Sequence, residues 1–252
     1  MDLISLYQKY FYTVKATTPE LKRKAYKIRY QVYYEKYKFV PPNIIDGNSE
    51  TDIWDLNSIQ CLLFHKPSNH PIGTIRIIPL ASSITDTLPL EEYYSKPFDF
   101  KSSPISHLRQ GSTGEVSRMA ILSSFRCQSN NYIYTNKVDK NAPIRGEQRI
   151  NFNYLPMCLA FSANILIEKE KLDYVVSLME PVLARLLMRF GIKLKQIGEP
   201  IDYYGIRAPY LIFTQETHSN LPLEYKELYD LIEEELSISA DLEDVHENAL
   251  VL

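Results

Sequence analysis

Hydrophobic residues fall in two rhythms along this chain, and the switches between them mark its elements. After Thr18-Pro19-Glu20, apolar residues recur at Leu21, Ala25, Ile28 and Val32, one face of a helix. Its start is chemically marked by a capping hydroxyl, a proline at the first helical position and an acid near the positive end of the helix dipole. Two short apolar runs, Cys61–His65 and Ile72–Leu80, flank the turn-forming Pro67-Ser68-Asn69-His70-Pro71 and read as a hairpin. A polar stretch, 81–114, precedes the strand Glu115–Leu122, and a second, 123–149, reads as a loop. Phe152–Lys169 is an apolar helix and Asp173–Met179 a buried strand by its Val-Val centre. Glu180-Pro181 opens a helix that Gly191 ends, and Lys193–Ile197, Ile201–Tyr204 and Tyr210–Thr214 are the last strands. This order predicts an α/β (α+β) fold: a mixed central sheet with helices on both faces.

Composition narrows the function classes. Glycine is scarce, 8 in 252, and no G-x-G-x-x-G or P-loop motif is present, which argues against dinucleotide and P-loop enzymes. No apolar run reaches the ~18 residues of a membrane helix, and the first residues lack the basic start and small-residue cleavage site of a secretory signal. Three dispersed cysteines form no disulfide framework. The expectation is a reduced, cytoplasmic protein without a transmembrane segment. Five dispersed histidines have no metal-ligand spacing, so no metal is expected. Between 219 and 252, ten acidic residues stand against Lys226, making that segment −9; a formal charge of −3 for the chain leaves +6 on the other 218 residues. The expected organisation is one domain over 1–218 and an acidic, partly helical tail over 219–252. Leu228, Leu231, Ile232 and Leu236 have helical spacing, and residues past Ser237 are expected to be disordered. A basic body fits an acidic partner. Its basic residues do not interleave with aromatics in a nucleic-acid signature, so no nucleic acid is expected.

Three clusters can carry chemistry: Glu50-Thr51-Asp52-Ile53-Trp54-Asp55, Gly73-Thr74-Ile75-Arg76 and Gly114-Glu115-Val116-Ser117-Arg118. Charged residues inside apolar strands are rarely buried without partners. Arg76 and Arg118 therefore need carboxylates, and Glu50, Asp52, Asp55 and Glu115 can supply them. Glu115 and Arg118 are three apart, so a regular strand puts them on opposite faces. They share a site only if a bulge re-aims one of them.

Arg29-x-x-x-Tyr33, Glu50-x-Asp52-x-x-Asp55, Gly73-x-x-Arg76 and Glu115-x-Ser117-Arg118, in this order, resemble the motif series of acyl-homoserine-lactone synthases. The second half resembles the N-acyl amino acid synthases and the acyltransferases associated with PEP-CTERM/exosortase systems. It does so through Met179-Glu180-Pro181-x-Leu183-Ala184-Arg185-Leu186-Leu187, Phe190-Gly191-Ile192, Ile197-Gly198 and Tyr203-Tyr204-Gly205-x-Arg207-Ala208-Pro209-Tyr210. The resemblance spans Pro19 to Thr214. It implies a GNAT-like acyltransferase fold, an acyl thioester as donor and an amine as acceptor. Tyr33 stands where the lactone synthases carry phenylalanine, and Phe39 about where they carry tryptophan, which favours an amino acid or related amine over S-adenosylmethionine.

Arg118–Ser124 contains no glycine with which to wrap a pyrophosphate. Acyl-phosphopantetheine on an acidic acyl carrier protein, rather than coenzyme A, is the expected donor, and no permanently bound cofactor is expected. Glu115 is then the expected base, with Asp52 and Asp55 holding the ammonium. Arg29, Tyr33, Glu50, Trp54, Arg76, Ser117 and Arg118 are expected to bind or orient, and Arg126, Arg145 and Arg149 to dock the carrier. Two other readings of the same residues are an acyl-homoserine-lactone-type autoinducer synthase and a non-catalytic GNAT-like module that binds an acyl chain or its carrier.

Overall fold

The structure is a computed structural model that describes residues 2–83, 86–94, 112–125, 154–215 and 217–249. Its centre is an eight-stranded sheet. From one edge, β1 (Phe11–Lys15) pairs with β4 (Ile59–His65), β4 with β5 (His70–Pro79), and β5 with β6 (Thr113–Ile121). Next come β7 (Tyr174–Met179), β10 (Ile206–Ile212) and β8 (Leu194–Gln196), with β9 (Ile201–Asp202) paired to β10 off this path. Among the described strands only β6 and β7 run parallel; they are joined across the sheet by a connection that holds α4 (Leu155–Lys169). Two short strands, β2 (Ile45–Asp46) and β3 (Ser49–Glu50), form a separate hairpin. This is the mixed sheet that the residue pattern predicts.

The helices divide between the two faces as the strand alternation requires. α2 (Pro19–Arg29) starts where expected, with Thr18 Oγ1 accepting from the Leu21 amide. It packs Ala25 and Ile28, with Val32 from the π-helical turn that follows, against Leu62, Phe64 and Ala120. The opposite face, through Cys61, Leu63, Ile75 and Ile77, packs against α4, which is apolar on all sides and buried along nearly its whole length. α5 (Pro181–Arg189) ends at Gly191, which takes the left-handed φ of 95° that favours glycine. The last long strand is displaced from the expected Tyr210–Thr214. It begins at Ile206, where Ile206 and Arg207 pair with β9, and Ala208–Ile212 then run in register with β7.

The acidic segment departs furthest from expectation. α7 (Leu223–Ala249) continues well past Ser237. Its Leu228, Tyr229, Ile232 and Leu236 are buried in the main core. Glu235 accepts from the Thr13 amide at 2.9 Å and from the Tyr7 hydroxyl at 2.7 Å. A division after residue 218 therefore cuts through the core: the acidic face is solvated, but the apolar face of the same helix is part of the domain. Two N-terminal elements, α1 (Leu3–Tyr10) and β1, are also absent from the sequence reading. Asp2 caps α1.

Candidate active site

The site is built by two irregularities in the middle of the sheet. Thr74 of β5 pairs with Ala120 and Arg76 with Ser117, so Arg118 and Met119 together oppose Ile75. This is the bulge that the spacing of Glu115 and Arg118 calls for. Arg118 takes φ 54° to make it, a left-handed backbone that costs a non-glycine residue on the order of 1–2 kcal/mol. Secondly, β6 and β7 pair only at Thr113–Glu115 with Tyr174–Val176. Beyond these residues the parallel strands part, and a cavity of about 100 Å³ opens between Val116–Met119 of β6 and Ser177–Met179 of β7. Its deeper wall is apolar, with Ala160, Ala163 and Ile167 from α4 and Leu183 and Leu187 from α5. A second pocket, about 70 Å³, adjoins it and shares Tyr33, Ser117, Arg118, Leu178 and Arg207. Aromatic rings line much of it (Phe39, Tyr93, Tyr203 and Tyr204), and Glu115 belongs to its wall.

The predicted charges assemble, but apart from Arg118 they lie outside the linings of these pockets. Arg29 donates from Nε to Glu50 and from Nη1 and Nη2 to the two oxygens of Asp55, at 2.6 and 2.8 Å. Arg76 Nη1 donates to Asp52 (2.6 Å) and Asp55 (2.9 Å), and its Nε to Ser117 Oγ (3.1 Å). Arg118, turned inward by the bulge, donates to Glu50 (3.1 Å) and Asp52 (3.2 Å). Three arginines thus face three carboxylates in one interlocked cluster. Burial alone would raise the Asp55 carboxyl, but the charges of Arg29 and Arg76 outweigh it and hold the group well below the usual carboxylate range. Glu50 is lowered in the same way, burial being overcome by Arg29 and Arg118. Asp55 also accepts from the Gln60 amide and the Asp52 backbone. None of Arg29, Glu50, Asp52, Trp54, Asp55 and Arg76 lines either pocket. Trp54 lies in a core cluster with Ile78 and Leu90, its indole donating to the Thr87 carbonyl.

Glu115 behaves differently. It is buried, accepts from the Leu90 amide at 2.7 Å, and makes no ion pair among the described residues. Burial pushes its carboxyl up to about 8, against the Leu90 hydrogen bond and the more distant charges of Arg76 and Arg118. It is the one sequence-predicted carboxylate that faces a pocket. Tyr33 spans both pockets and donates to the Met119 carbonyl at 2.6 Å, bracing the bulge. Arg126, Arg145 and Arg149, the expected docking residues, lie outside the described residues. The sequence reading missed Phe39, Tyr93, Tyr203, Tyr204 and Arg207 as site residues. The available signal was the Tyr-Tyr-Gly-x-Arg run at 203–207, read there only as part of a resemblance.

Comparisons with known proteins bear on the fold. Residues 28–134 match the family described as "Acetyltransferase (GNAT) domain". No curated protein matches the sequence. Among solved structures, the AHL synthase LasI superposes with a TM-score of 0.52 at 14% identity, over 84% of this chain and 96% of that one. FeeM, an N-acyl amino acid synthase from uncultured soil microbes, gives 0.52 at 15% identity, over 85% and 97%. BjaI, a CoA-dependent acyl-homoserine lactone synthase solved with SAM and isopentyl-CoA, gives 0.51 at 12%, over 87% of each chain. At these identities the likeness is one of fold. The fold is the GNAT-like one that the sequence motifs imply.

Proposed function

We propose that this protein is an N-acyltransferase that moves a fatty acyl group from a phosphopantetheine thioester to the amine of an amino acid or similar small acceptor. The observation that carries the reading is the pair of joined pockets where β6 and β7 part, one with an apolar depth and one walled by Glu115. In this reading the acyl chain enters by the first pocket and the amine by the second, with the thioester carbonyl at their junction beside Ser117 and Arg118.

Glu115 suits the proton transfer. The ammonium of a free amino acid titrates above the ~7.7–8.0 of a peptide N-terminus, so the acceptor arrives protonated, and a carboxyl pushed up to about 8 is a stronger base towards it than an ordinary one. In its ionised form, a minority at neutral pH that grows towards pH 8, Glu115 takes a proton from the ammonium. The freed nitrogen pair bonds to the thioester carbon, and the carbonyl oxygen becomes an oxyanion. Backbone N–H groups along the edge of β6 released from β7 are the donors nearest to hand for it. Collapse of the intermediate breaks the carbon–sulfur bond; the thiolate leaves with the proton that Glu115 holds, and the nitrogen gives its second surplus proton to the freed Glu115 carboxylate, and from there to solvent, as the amide forms. Asp52, Asp55 and Glu50, saturated by arginines, are positioning groups in this scheme: Glu50 and Asp52 fix Arg118 and so the bulge, and Asp55 holds Arg29 and Arg76 beside them. They replace the ammonium-holding role that the sequence suggests for Asp52 and Asp55.

A carrier protein is the preferred donor. Arg118–Ser124 offers no glycine turn for a pyrophosphate, and the chain outside the acidic segment is basic. Mass spectrometry of lipid extracts from cells expressing the protein tests the reading. New N-acyl amides are expected in cells with the parent chain and not with Glu115→Gln. Lipid profiles identical to those of empty cells would overturn it, and acylated homoserine lactones in their place would select the autoinducer reading.

A further inference from the structure

Arg207 is a cation at the junction of the two pockets, and the acyl-transfer chemistry above gives it nothing to do. It sits on β10 just after the Tyr203–Gly205 turn. Its Nε donates to the Tyr203 carbonyl at 2.9 Å, and its guanidinium lies 5.9 Å from the Phe39 ring centre. These contacts fix one edge of the planar group. Its remaining ionic partner among the described residues is Glu180, 3.8 Å from Nη2 and with a side chain 53% exposed. A hydrated carboxylate at that distance is a weak partner. Arg118, the other arginine of the pocket wall, is committed to Glu50 and Asp52. Arg207 is therefore the pocket's positive charge with donors to spare.

We propose that Arg207 anchors the carboxylate of the acceptor and so makes the enzyme select amino acids over amines that lack a carboxylate. A guanidinium held by one edge presents its other donors in a fixed fork that matches a carboxylate. Glu115 lines the same pocket. An α-amino acid held at Arg207 by its carboxylate has its nitrogen a fixed two bonds from the anchored carbon, within one small pocket with the base. An amine without the carboxylate gets no such placement. The inference rests on the N-acyltransferase reading for its chemistry, but the binding it requires is separable from turnover.

The test pairs an α-amino acid with its α-carboxamide, the same side chain without the charge, using parent, Arg207→Met and Arg207→Lys chains of matched melting temperature. A charge-assisted hydrogen bond contributes on the order of 1.5–3 kcal/mol, so the parent should prefer the acid in kcat/KM by about 10–100-fold. Arg207→Met should collapse that preference, mainly through KM, and Arg207→Lys should keep part of it. A parent without preference, or acid and carboxamide losing activity in parallel in Arg207→Met, would overturn the proposal. Thermal-shift titration of both compounds without donor reads binding alone. The acid should stabilise the parent more than the carboxamide does, and lose that advantage in Arg207→Met. If that difference appears while no acyl transfer is seen, the acyltransferase reading fails and the anchor stands; if it is absent, the anchor fails even where turnover is measured.

Discussion

Glu115 has two measurable properties that burial couples in opposite directions. In the folded chain it stays protonated up to about pH 8, where an ordinary carboxyl ionises far lower. The native state therefore binds more protons than the unfolded state across that interval, and stability falls as pH rises through it. Glu115→Gln removes the penalty. The melting temperature of the variant relative to the parent should be close to zero difference at pH 4, rise up to about pH 8 and level off above it, as scanning calorimetry can follow. The same variant should lose about 10²–10⁴-fold in kcat, the usual contribution of a general base. A variant that is less stable than the parent at pH 8 would make Glu115 a structural carboxyl. Asp55 and Glu50 have the reverse sign. Their lowered carboxyls favour the native state above the ordinary carboxylate range, and that contribution drains away as pH falls through and below it. Asp55→Asn leaves Arg29 and Arg76 short of a buried counter-charge and should cost about 3–5 kcal/mol in urea denaturation.

At the scale of elements, the sequence made legible what depends on neighbours along the chain. The cap at Thr18, the β4–β5 hairpin and the stop at Gly191 are local chemistry, and each falls where its residues place it. The bulge in β6 was one of two alternatives that the spacing of Glu115 and Arg118 left open. The parting of β6 from β7 was not: it is a register between strands more than fifty residues apart, with no mark in either. The aromatic pocket was hidden for the same reason, its walls coming from separate segments around Tyr33, Tyr93 and Tyr203. α7 misled because its acidic face dominates the composition while four apolar residues hold it to the core. Ile232→Ala should therefore cost about 2–5 kcal/mol, as for any fully buried isoleucine. Deleting residues 237–252 keeps Leu228, Tyr229, Ile232 and Leu236, and should lower the melting temperature by no more than a few degrees. Equal destabilisation by the deletion and by Ile232→Ala would mean that the end of the helix carries packing of its own.

Across the whole molecule, charge bears on the donor. In the proposed scheme the +6 carried outside the acidic segment draws an acidic carrier, an attraction between exposed charges that salt screens within about 8 Å at physiological ionic strength. Raising salt from 50 to 300 mM should depress kcat/KM for an acyl group on carrier protein while leaving acyl-pantetheine nearly unaffected. Parallel behaviour of the two donors would remove electrostatic docking from the scheme. The most direct measurement is reconstitution. Purified protein is given the same acyl group on carrier protein or on coenzyme A, with an amino acid as acceptor, and the N-acyl product and the released thiol are quantified together. Amide and thiol should form in equal amounts, faster from the carrier protein, and both should stop with Glu115→Gln. Thiol release without amide, or no product from either donor, would contradict an N-acyltransferase built on the pockets between β6 and β7.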